Sequence, residues 1–263
     1  MDTSQLAKVK KILLQELSSD TVNTLKVREL CRDHPGLIAT AGLRVRIWSL
    51  LLLGDVDIRD SESAPTPPEP CMEQQVLEAD VRRTRGDVEV FRSPGHQNML
   101  MTILQGFCVK HDVEYKQGMN EILAPFIQVN PPPSGTQLTF SIYEAFLFRY
   151  LERFFCRDES SFLFKGFRMF HLLLMYVDPQ LGGHLAEQNF FPELYAPQWF
   201  LTLYSRGLPL SLVLRLWDML IAVDDPAFNF FIGLCMLRQH RAYLIMSDVD
   251  AIPEIISGIQ IKV

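Results

Sequence analysis

The chain has 263 residues, of which 48% are hydrophobic and 21% are charged, the balance of an ordinary globular protein. Its 31 acidic and 25 basic side chains give a formal net charge of -6, which disfavours nucleic acid as a partner because an acidic surface repels phosphates. The sequence contains no signal-peptide pattern at its start and no uninterrupted apolar run of about 18 residues. We therefore expect a cytoplasmic protein, and we leave peripheral recruitment to a membrane open.

The cysteines and histidines do not predict a metal site. The five cysteines are widely spaced and form no C-x-x-C or Cys/His pattern, which excludes the usual zinc and disulfide frameworks and favours a reducing environment. The six histidines are scattered, and none lies four residues from another. Surface or core roles are therefore favoured for them over metal ligation.

Apolar residues recur at helical spacing along most of the chain, for example from Leu6 to Leu13, from Met99 to Cys108 and from Leu212 to Leu220. Period-2 alternation is hard to find, so the pattern predicts an all-α fold of about ten or more short helices. Helix boundaries are expected at four places that are rich in Pro, Gly and Asp: Pro35-Gly36, Gly54, Asp178-Pro179 and Gly207 with Pro209.

Two stretches interrupt the helical pattern. Residues 55–70 are rich in Asp, Ser and Pro, and residues 130–135 contain a Pro-Pro-Pro-Ser-Gly run, so both are predicted to be surface loops. The second loop is expected to separate two helical lobes. Residues 1–35 are predicted to form leader helices, either separate from or part of the main domain, which is placed at residues 36–263. No self-similarity at the period of helical repeats is present.

The usual motifs of a self-contained enzyme are absent from the sequence. It contains no phosphate-binding G-x-x-x-x-G-K-[ST], no dinucleotide G-x-G-x-x-G, no G-x-S-x-G nucleophile elbow and no H-E-x-x-H zinc helix. Information about function must therefore come from four other polar and aromatic segments.

Two of these segments look architectural. The first contains Arg44 and Trp48, where the tryptophan is interpreted as a core anchor and the arginine as a capping or pairing group. In the other, large aromatic residues are interpreted as core ridges, and a carboxylate beside one of them as a buried capping or pairing group. The residues of this later segment are Trp199, Arg215, Trp217 and Asp218.

The remaining two segments each leave two interpretations open. Asp80 and Arg83 lie three residues apart on one predicted helix face, and the arginines 82, 83 and 85 form either a solvated basic turn or part of a site. Gln117 precedes Gly118, whose backbone freedom would present the amide at a turn. Alternatively, Gln117 caps the following helix while Tyr115 packs with its hydroxyl satisfied.

Taken in order, the four segments resemble the TBC domain of Rab GTPase-activating proteins from about Gly36 to the carboxyl terminus. Leu77-x-x-Asp80-x-x-Arg83-Thr84 is similar to the family's I-x-x-D-x-x-R-T motif. Residues 115–120, Y-K-Q-G-M-N, match its Y-x-Q-G-M-N motif, and residues 199–200 and 215–218 resemble its W-F and R-[IL]-W-D segments.

The sequence also departs from the family pattern at three places. Residues 38–40, Ile-Ala-Thr, replace a common Gly-apolar-Pro, Arg85-Gly86 replaces the usual residue-proline pair, and Glu114 stands where many members have glycine. These differences concern loop shape and the choice of Rab, and they leave Arg83 and Gln117 in place.

The resemblance implies a two-lobed, all-helical activator of a Rab GTPase rather than an enzyme in its own right. Arg83 would be the arginine finger that contacts phosphate oxygens, and Gln117 would orient the attacking water. The supporting residues would be Asp80, Thr84, Tyr115 and Gly118. The chain would need no cofactor of its own, because GTP and Mg²⁺ belong to the partner GTPase.

Two other interpretations stay open. A module of the same fold could bind a Rab without accelerating hydrolysis, although the retention of both Arg83 and Gln117 argues against it. An unrelated helical scaffold would make the four ordered matches a coincidence.

Overall fold

The computed structural model describes residues 3–54, 70–133, 135–152 and 159–259. Within these ranges the protein is helical and contains no strand, which confirms the predicted all-α class. None of the described helices combines the length and the apolar content needed to cross a bilayer. Residues 55–69 of the first predicted loop lie outside the described part of the chain.

The described residues form 14 α-helices in chain order. They are α1 Thr3–Leu17, α2 Thr24–Asp33, α3 Ala41–Leu53, α4 Gln74–Arg83, α5 Pro94–His111, α6 Met119–Val129, α7 Thr136–Leu151, α8 Glu159–Val177, α9 Pro179–Glu187, α10 Pro197–Leu201, α11 Leu210–Val223, α12 Phe228–Gln239, α13 Arg241–Met246 and α14 Ile252–Ser257. Short 3-10 helices at Glu89–Arg92 and Pro192–Leu194 accompany them.

Side-chain caps and breaking residues set several helix ends. Thr40 accepts a hydrogen bond from the backbone N–H of Leu43 at the start of α3, and Gly54 ends that helix with a φ of 75°. Asp178 caps α9 by accepting from the N–H of Leu181, and Pro179 occupies the first helical position. The boundaries predicted at Gly54 and at Asp178-Pro179 are thus confirmed.

The chain divides into two compact units. The first comprises Met1–Tyr150 with Val213–Asp225, and the second comprises Leu151–Leu212 with Pro226–Val263. The prediction that residues 130–135 separate the lobes is wrong, because that loop lies inside the first unit. Asn130 holds it closed there: its Nδ2 donates to the carbonyl of Gly135 at 3.0 Å and to Oγ1 of Thr139 at 3.1 Å.

The core of the first unit is built around aromatic rings from four helices. The ring centroid of Trp217 in α11 lies 4.5 Å from that of Phe146 in α7 and 5.2 Å from that of Phe126 in α6. Trp48 of α3 packs edge-on against Phe126 at 5.5 Å. The predicted leader segment also contributes, since α1 and α2 bury Leu13 and Val27 in this unit. A domain boundary at residue 35 stays a prediction.

The second unit has a separate aromatic core on α8. The ring of Phe170 lies 5.2 Å from that of Phe200 in α10 and 6.2 Å from that of Phe230 in α12. Gly233 permits this approach, because a Cβ at that position would lie 3.0 Å from the ring of Phe170. Large interlocking rings with one small residue therefore fix how α8, α10 and α12 pack together.

Candidate functional site

The carboxyl end of α4 carries an exposed arginine over a buried carboxylate. The side chain of Arg83 is 60% exposed, whereas that of Asp80 is 1% exposed. One turn of helix separates the two residues, and Nη2 of Arg83 forms an ion pair with Oδ1 of Asp80. The guanidinium is thus held at its inner edge and open to solvent on its other side.

A second exposed group lies in the turn before α6. Gly118 is the N-cap of α6 and adopts a φ of 109°, in the region that favours glycine. Gln117 just before it is exposed, and its side chain forms no hydrogen bond with any residue that the structure describes. No side chain that the structure describes caps the start of α6. The interpretation of Gln117 as a helix cap is therefore wrong.

A buried hydrogen-bond network joins these two segments. The hydroxyl of Tyr115 lies 2.8 Å from Oδ2 of Asp80 and 3.1 Å from Oδ1 of Asn120, which also accepts from the N–H of Gly118. Nδ2 of Asn120 donates to Oγ1 of Thr84 at 2.9 Å, and that hydroxyl donates to the carbonyl of Asp80 at 2.7 Å. The network therefore closes on itself and ties the end of α4 to the start of α6.

The network is buried, and its electrostatics follow from that burial. Asp80, Thr84, Asn120 and Tyr115 are each at most 4% exposed. Burial, together with the hydrogen bond to Asp80, raises the pKa of Tyr115 well above its ordinary value, so the phenol remains a donor. Because every member has a partner inside the network, the exposed groups above it stand on a fixed base.

Sequence reasoning missed one member of this network and misplaced another residue near it. Asn120 was matched to the family motif but given no role, although it links Tyr115 to Thr84. Arg85 was grouped with a solvated basic turn, and for Arg85 that is wrong: it is 7% exposed, and its Nε lies 3.1 Å from Oε2 of Glu121. Its backbone adopts a φ of 48°, and burial of the guanidinium lowers its pKa.

A different polar cluster surrounds Asp218 in the core of the first unit. The carboxylate accepts from Nε and Nη2 of Arg44 at 2.9–3.1 Å and from Nε1 of Trp48 at 3.0 Å. Burial raises the pKa of Asp218 to about 6, and the bonds from Arg44 and Trp48 lower it only in part. Trp217 beside it is 1% exposed, whereas Arg215 on the same helix is exposed.

The predicted residues thus fall into separate groups. Asp80, Thr84, Tyr115 and Gly118 lie together beneath Arg83 and Gln117, and the Asp218 cluster is a distinct part of the same unit. Trp199 belongs to the second unit, where it is 7% exposed and packs edge-on against Tyr195 at 5.4 Å.

The arrangement can offer charge and hydrogen bonds to another molecule. A guanidinium supplies planar N–H donors suited to phosphate or carboxylate, and a primary amide both donates and accepts. These properties define a helical protein that presents an arginine and a glutamine on a rigid base.

Comparison with known proteins identifies the family. Residues 41–245 match the family model RabGAP-TBC, described as the Rab-GTPase-TBC domain. The chain belongs to this family. The match covers most of both compact units and agrees with the motif resemblance seen in the sequence.

Individual relatives agree with this assignment. The chain is 31% identical over 209 residues to the TBC domain-containing protein kinase-like proteins of human and chicken, which covers 79% of this chain. It spans only 23% of the length of those relatives. Over 176 residues it is also 31% identical to TBC1 domain family member 12 of rat, with 66% of this chain and 25% of the relative covered.

Solved structures share the fold. The crystal structure of the Ypt/Rab-GAP domain of Gyp1p superposes with a TM-score of 0.80 at 17% identity, covering 96% of this chain and 91% of that one. The Chlamydomonas flagellar RabGAP TBC domain gives a TM-score of 0.72 at 21% identity, covering 97% of this chain and 87% of that one. The two-lobed helical fold is therefore that of TBC domains.

Proposed function

We propose that this chain accelerates GTP hydrolysis by a Rab-family GTPase, with Arg83 as an arginine finger and Gln117 as a glutamine finger. The observation that carries the proposal is the buried network of Asp80, Tyr115 and Asn120, because it holds two exposed, chemically suitable side chains on one base. Rigid support of this kind is what a catalytic group supplied to another protein needs.

The arginine supplies positive charge where the reaction develops negative charge. Phosphoryl transfer spreads charge over the oxygens of the γ-phosphate, and a guanidinium placed there stabilises the transition state. Arg83 is suited to this because its side chain is 60% exposed while its Nη2 pairs with Asp80, which leaves N–H groups open to solvent. Asp80 then acts as a positioning residue that fixes the plane of the guanidinium.

The glutamine supplies an oriented amide. Its oxygen would accept from the attacking water, and its nitrogen would donate to a neighbouring oxygen, a role that needs a side chain without competing partners. Gln117 has none among the described residues, and Gly118 and Asn120 hold the backbone of its turn. GTP and Mg²⁺ would be carried by the partner GTPase, and the chain would work where that partner resides, including at a membrane surface.

One observation favours a second function, that of a Rab-binding module without catalysis. The ion pair between Arg83 and Asp80 lies within the chain, and Arg85-Gly86 follows the arginine in place of the family's residue-proline pair. A shift of about an ångström in the guanidinium is enough to lower catalysis strongly. The same fold would then still bind its partner.

Phosphate release from a panel of GTP-loaded Rab proteins tests the two candidates. We expect acceleration with at least one Rab, lost in Arg83→Ala and in Gln117→Ala and retained in Arg82→Ala, whose exposed arginine lies one position away on the same turn. Binding to a Rab without acceleration would favour the second function. Acceleration that survives both Arg83→Ala and Gln117→Ala would refute the assignment of the fingers.

A further inference from the structure

The backbone turn that follows Arg83 has an unusual conformation. It comprises residues 83–88, here called the finger turn. The N–H of Gly86 donates to the carbonyl of Arg83 at 3.3 Å, and the N–H of Val88 donates to the carbonyl of Arg85 at 2.8 Å. Arg85 itself adopts a φ of 48°, in the left-handed region. Residues other than glycine rarely occupy this region, and they stay there when surrounding contacts hold them.

A proline at position 86, as in the family's residue-proline pair, does not fit this backbone. Proline has no N–H to donate to the carbonyl of Arg83, and it drives the residue before it towards extended conformations. Arg85, with its φ of 48°, is far from extended. The finger turn therefore lacks the rigidity that a proline would give and needs another means of support.

Two side-chain contacts hold the finger turn. Nε of Arg92, in the 3-10 helix that follows, donates to the carbonyl of Gly86 at 2.8 Å. Nε of Arg85 lies 3.1 Å from Oε2 of Glu121, in the first turn of α6. The first contact is local, whereas the second joins the end of α4 to the helix that follows Gln117.

The ion pair between Arg85 and Glu121 is largely shielded from water. The side chain of Arg85 is 7% exposed, and that of Glu121 is 18% exposed. Burial lowers the pKa of Arg85, while the charge of Glu121 and, to a smaller extent, that of Asp87 oppose this shift. Glu121 is therefore the main compensation for the burial of this guanidinium. Loss of one partner from such a pair leaves the other charge buried and uncompensated.

The pair bridges the two elements that present the proposed fingers. Arg85 is two residues beyond Arg83, and Glu121 is four residues beyond Gln117. The buried network around Tyr115 joins the same two elements, but its members stop short of Arg85. The ion pair is thus a second link between α4 and α6, and it acts on the finger turn itself.

We propose that the ion pair between Arg85 and Glu121 positions Arg83 by fixing the finger turn, in place of the rigidity that the family's proline would give. Arg85 and Glu121 are positioning residues, because they act through the backbone that carries Arg83. The catalytic consequence rests on the proposed function, whereas the order of the finger turn can be measured without a GTPase.

Hydrogen–deuterium exchange on the free 263-residue chain measures the order of the finger turn. For Glu121→Gln and Arg85→Met we expect the hydrogen-bonded amides of the turn to exchange about tenfold faster, because each change leaves one buried charge uncompensated. The double variant should exchange no faster than either single variant, because the two residues act as one unit. Glu89→Gln and Arg82→Met make the same charge changes at exposed positions nearby and should leave exchange unchanged. Unchanged exchange in both single variants, or effects that multiply in the double variant, would overturn the proposal.

Single-turnover GTP hydrolysis with a responsive Rab separates positioning from a purely structural role. Glu121→Gln and Arg85→Met should each lower the maximal stimulated rate about tenfold, since a small displacement of Arg83 weakens catalysis strongly. The chain concentration that gives half-maximal stimulation should change less than about threefold. Arg85→Lys, which keeps the positive charge, should lose less activity than Arg85→Met.

The two measurements keep this inference apart from the proposed function. An unchanged maximal rate in variants whose finger turn exchanges faster would show that the pair supports only the fold, and would overturn the positioning role. If the wild-type chain stimulates no Rab, the proposed function fails, and the exchange measurement alone decides whether the pair fixes the finger turn.

Discussion

Two buried aspartates of the first unit pair with arginines, and the two pairs differ in how far the arginine side chain is exposed to solvent. Arg44 is 11% exposed and gives its donors to Asp218 and to the carbonyl of Ile38. Arg83 is 60% exposed, and its Nη2 pairs with Asp80. Both carboxylates also accept from an aromatic residue, Trp48 for Asp218 and Tyr115 for Asp80.

The difference separates an arginine that holds the fold from one that faces a partner. A buried guanidinium whose Nε and Nη2 already donate inside the core has little left for another molecule, whereas an exposed one that is paired at Nη2 keeps its direction and leaves donors open to solvent. The same pair of residue types therefore serves stability in one place and, by our proposal, catalysis in the other. The following predictions test this contrast, from the largest expected effect to the smallest.

Replacement of Arg83 should have the largest effect, and the property affected should be activity rather than stability. For Arg83→Ala we expect the stimulated rate of GTP hydrolysis to fall by about 10³ to 10⁵, the usual worth of an arginine finger. The free energy of unfolding should fall by only about 1 kcal/mol, because removal of an exposed side chain lets water reach Asp80. Single-turnover phosphate release and urea denaturation measure the two quantities. A chain that fails to fold would contradict this division.

Replacement of Asp218 should instead lower the stability of the fold. Asp218→Ala leaves the guanidinium of Arg44 and the indole N–H of Trp48 buried without their acceptor, which should lower the free energy of unfolding by about 3–5 kcal/mol. Urea denaturation measures this, with Asp20→Ala, at an exposed position between α1 and α2, as the control. A loss under about 1 kcal/mol would mean that water replaces the carboxylate and that the cluster is not structural.

The hydroxyl of Tyr115 should have an intermediate effect on both properties. Tyr115→Phe removes the hydrogen bond to Asp80 and keeps the ring, so we expect a loss of about 1.5–3 kcal/mol in unfolding free energy together with slower GTP hydrolysis. Tyr243→Phe, at a position 71% exposed, should change stability by no more than about 0.5 kcal/mol. Unchanged activity in a less stable Tyr115→Phe chain would show that the network supports only the fold.

The smallest effect is expected at Gly118. Gly118→Ala places a Cβ on a residue with a φ of 109°, which should cost about 1 kcal/mol of stability and shift the turn that carries Gln117. The loss of activity should therefore exceed the loss of stability, when both are expressed as free energies. Gly42→Ala is the control, because a Cβ there meets no atom within 4 Å and φ is ordinary. Equal effects on both properties would show that the turn does not position Gln117.

Parts of this site could be read from the residues, and parts could not. Arg83 and Gln117 were singled out by the motifs that resemble the TBC family, and the structure shows both exposed above one network. Asn120 was not predicted as a site residue, because its role depends on hydrogen bonds to two separate segments of the chain. The positive φ of Arg85 was not predicted either, since such a backbone angle at a residue other than glycine has no signal in the sequence.

The helices, like the site, could be predicted from the sequence only in part. Apolar periodicity predicted α11 correctly, but the stripe from Leu212 through Leu216 to Leu220 is only partly the buried face. The residues of α11 with at most 1% exposure are Val213, Trp217, Leu220, Ile221 and Ala222, because the neighbouring rings of Phe126 and Phe146 decide which side of the helix they cover. A helix with a wide apolar surface could bury any of several faces, and packing against its neighbours selects one of them.

The sequence by itself determined that this protein is helical, where several helices begin and end, and that it carries the paired motifs of the TBC family. Those properties rest on local preferences and on residue order, which need no knowledge of distant neighbours. Only the tertiary structure decided which arginine is buried and which is presented, and that the proline-rich loop lies within one unit. Those outcomes depend on partners far apart in the chain, such as Asp218 for Arg44 and Tyr115 for Asp80.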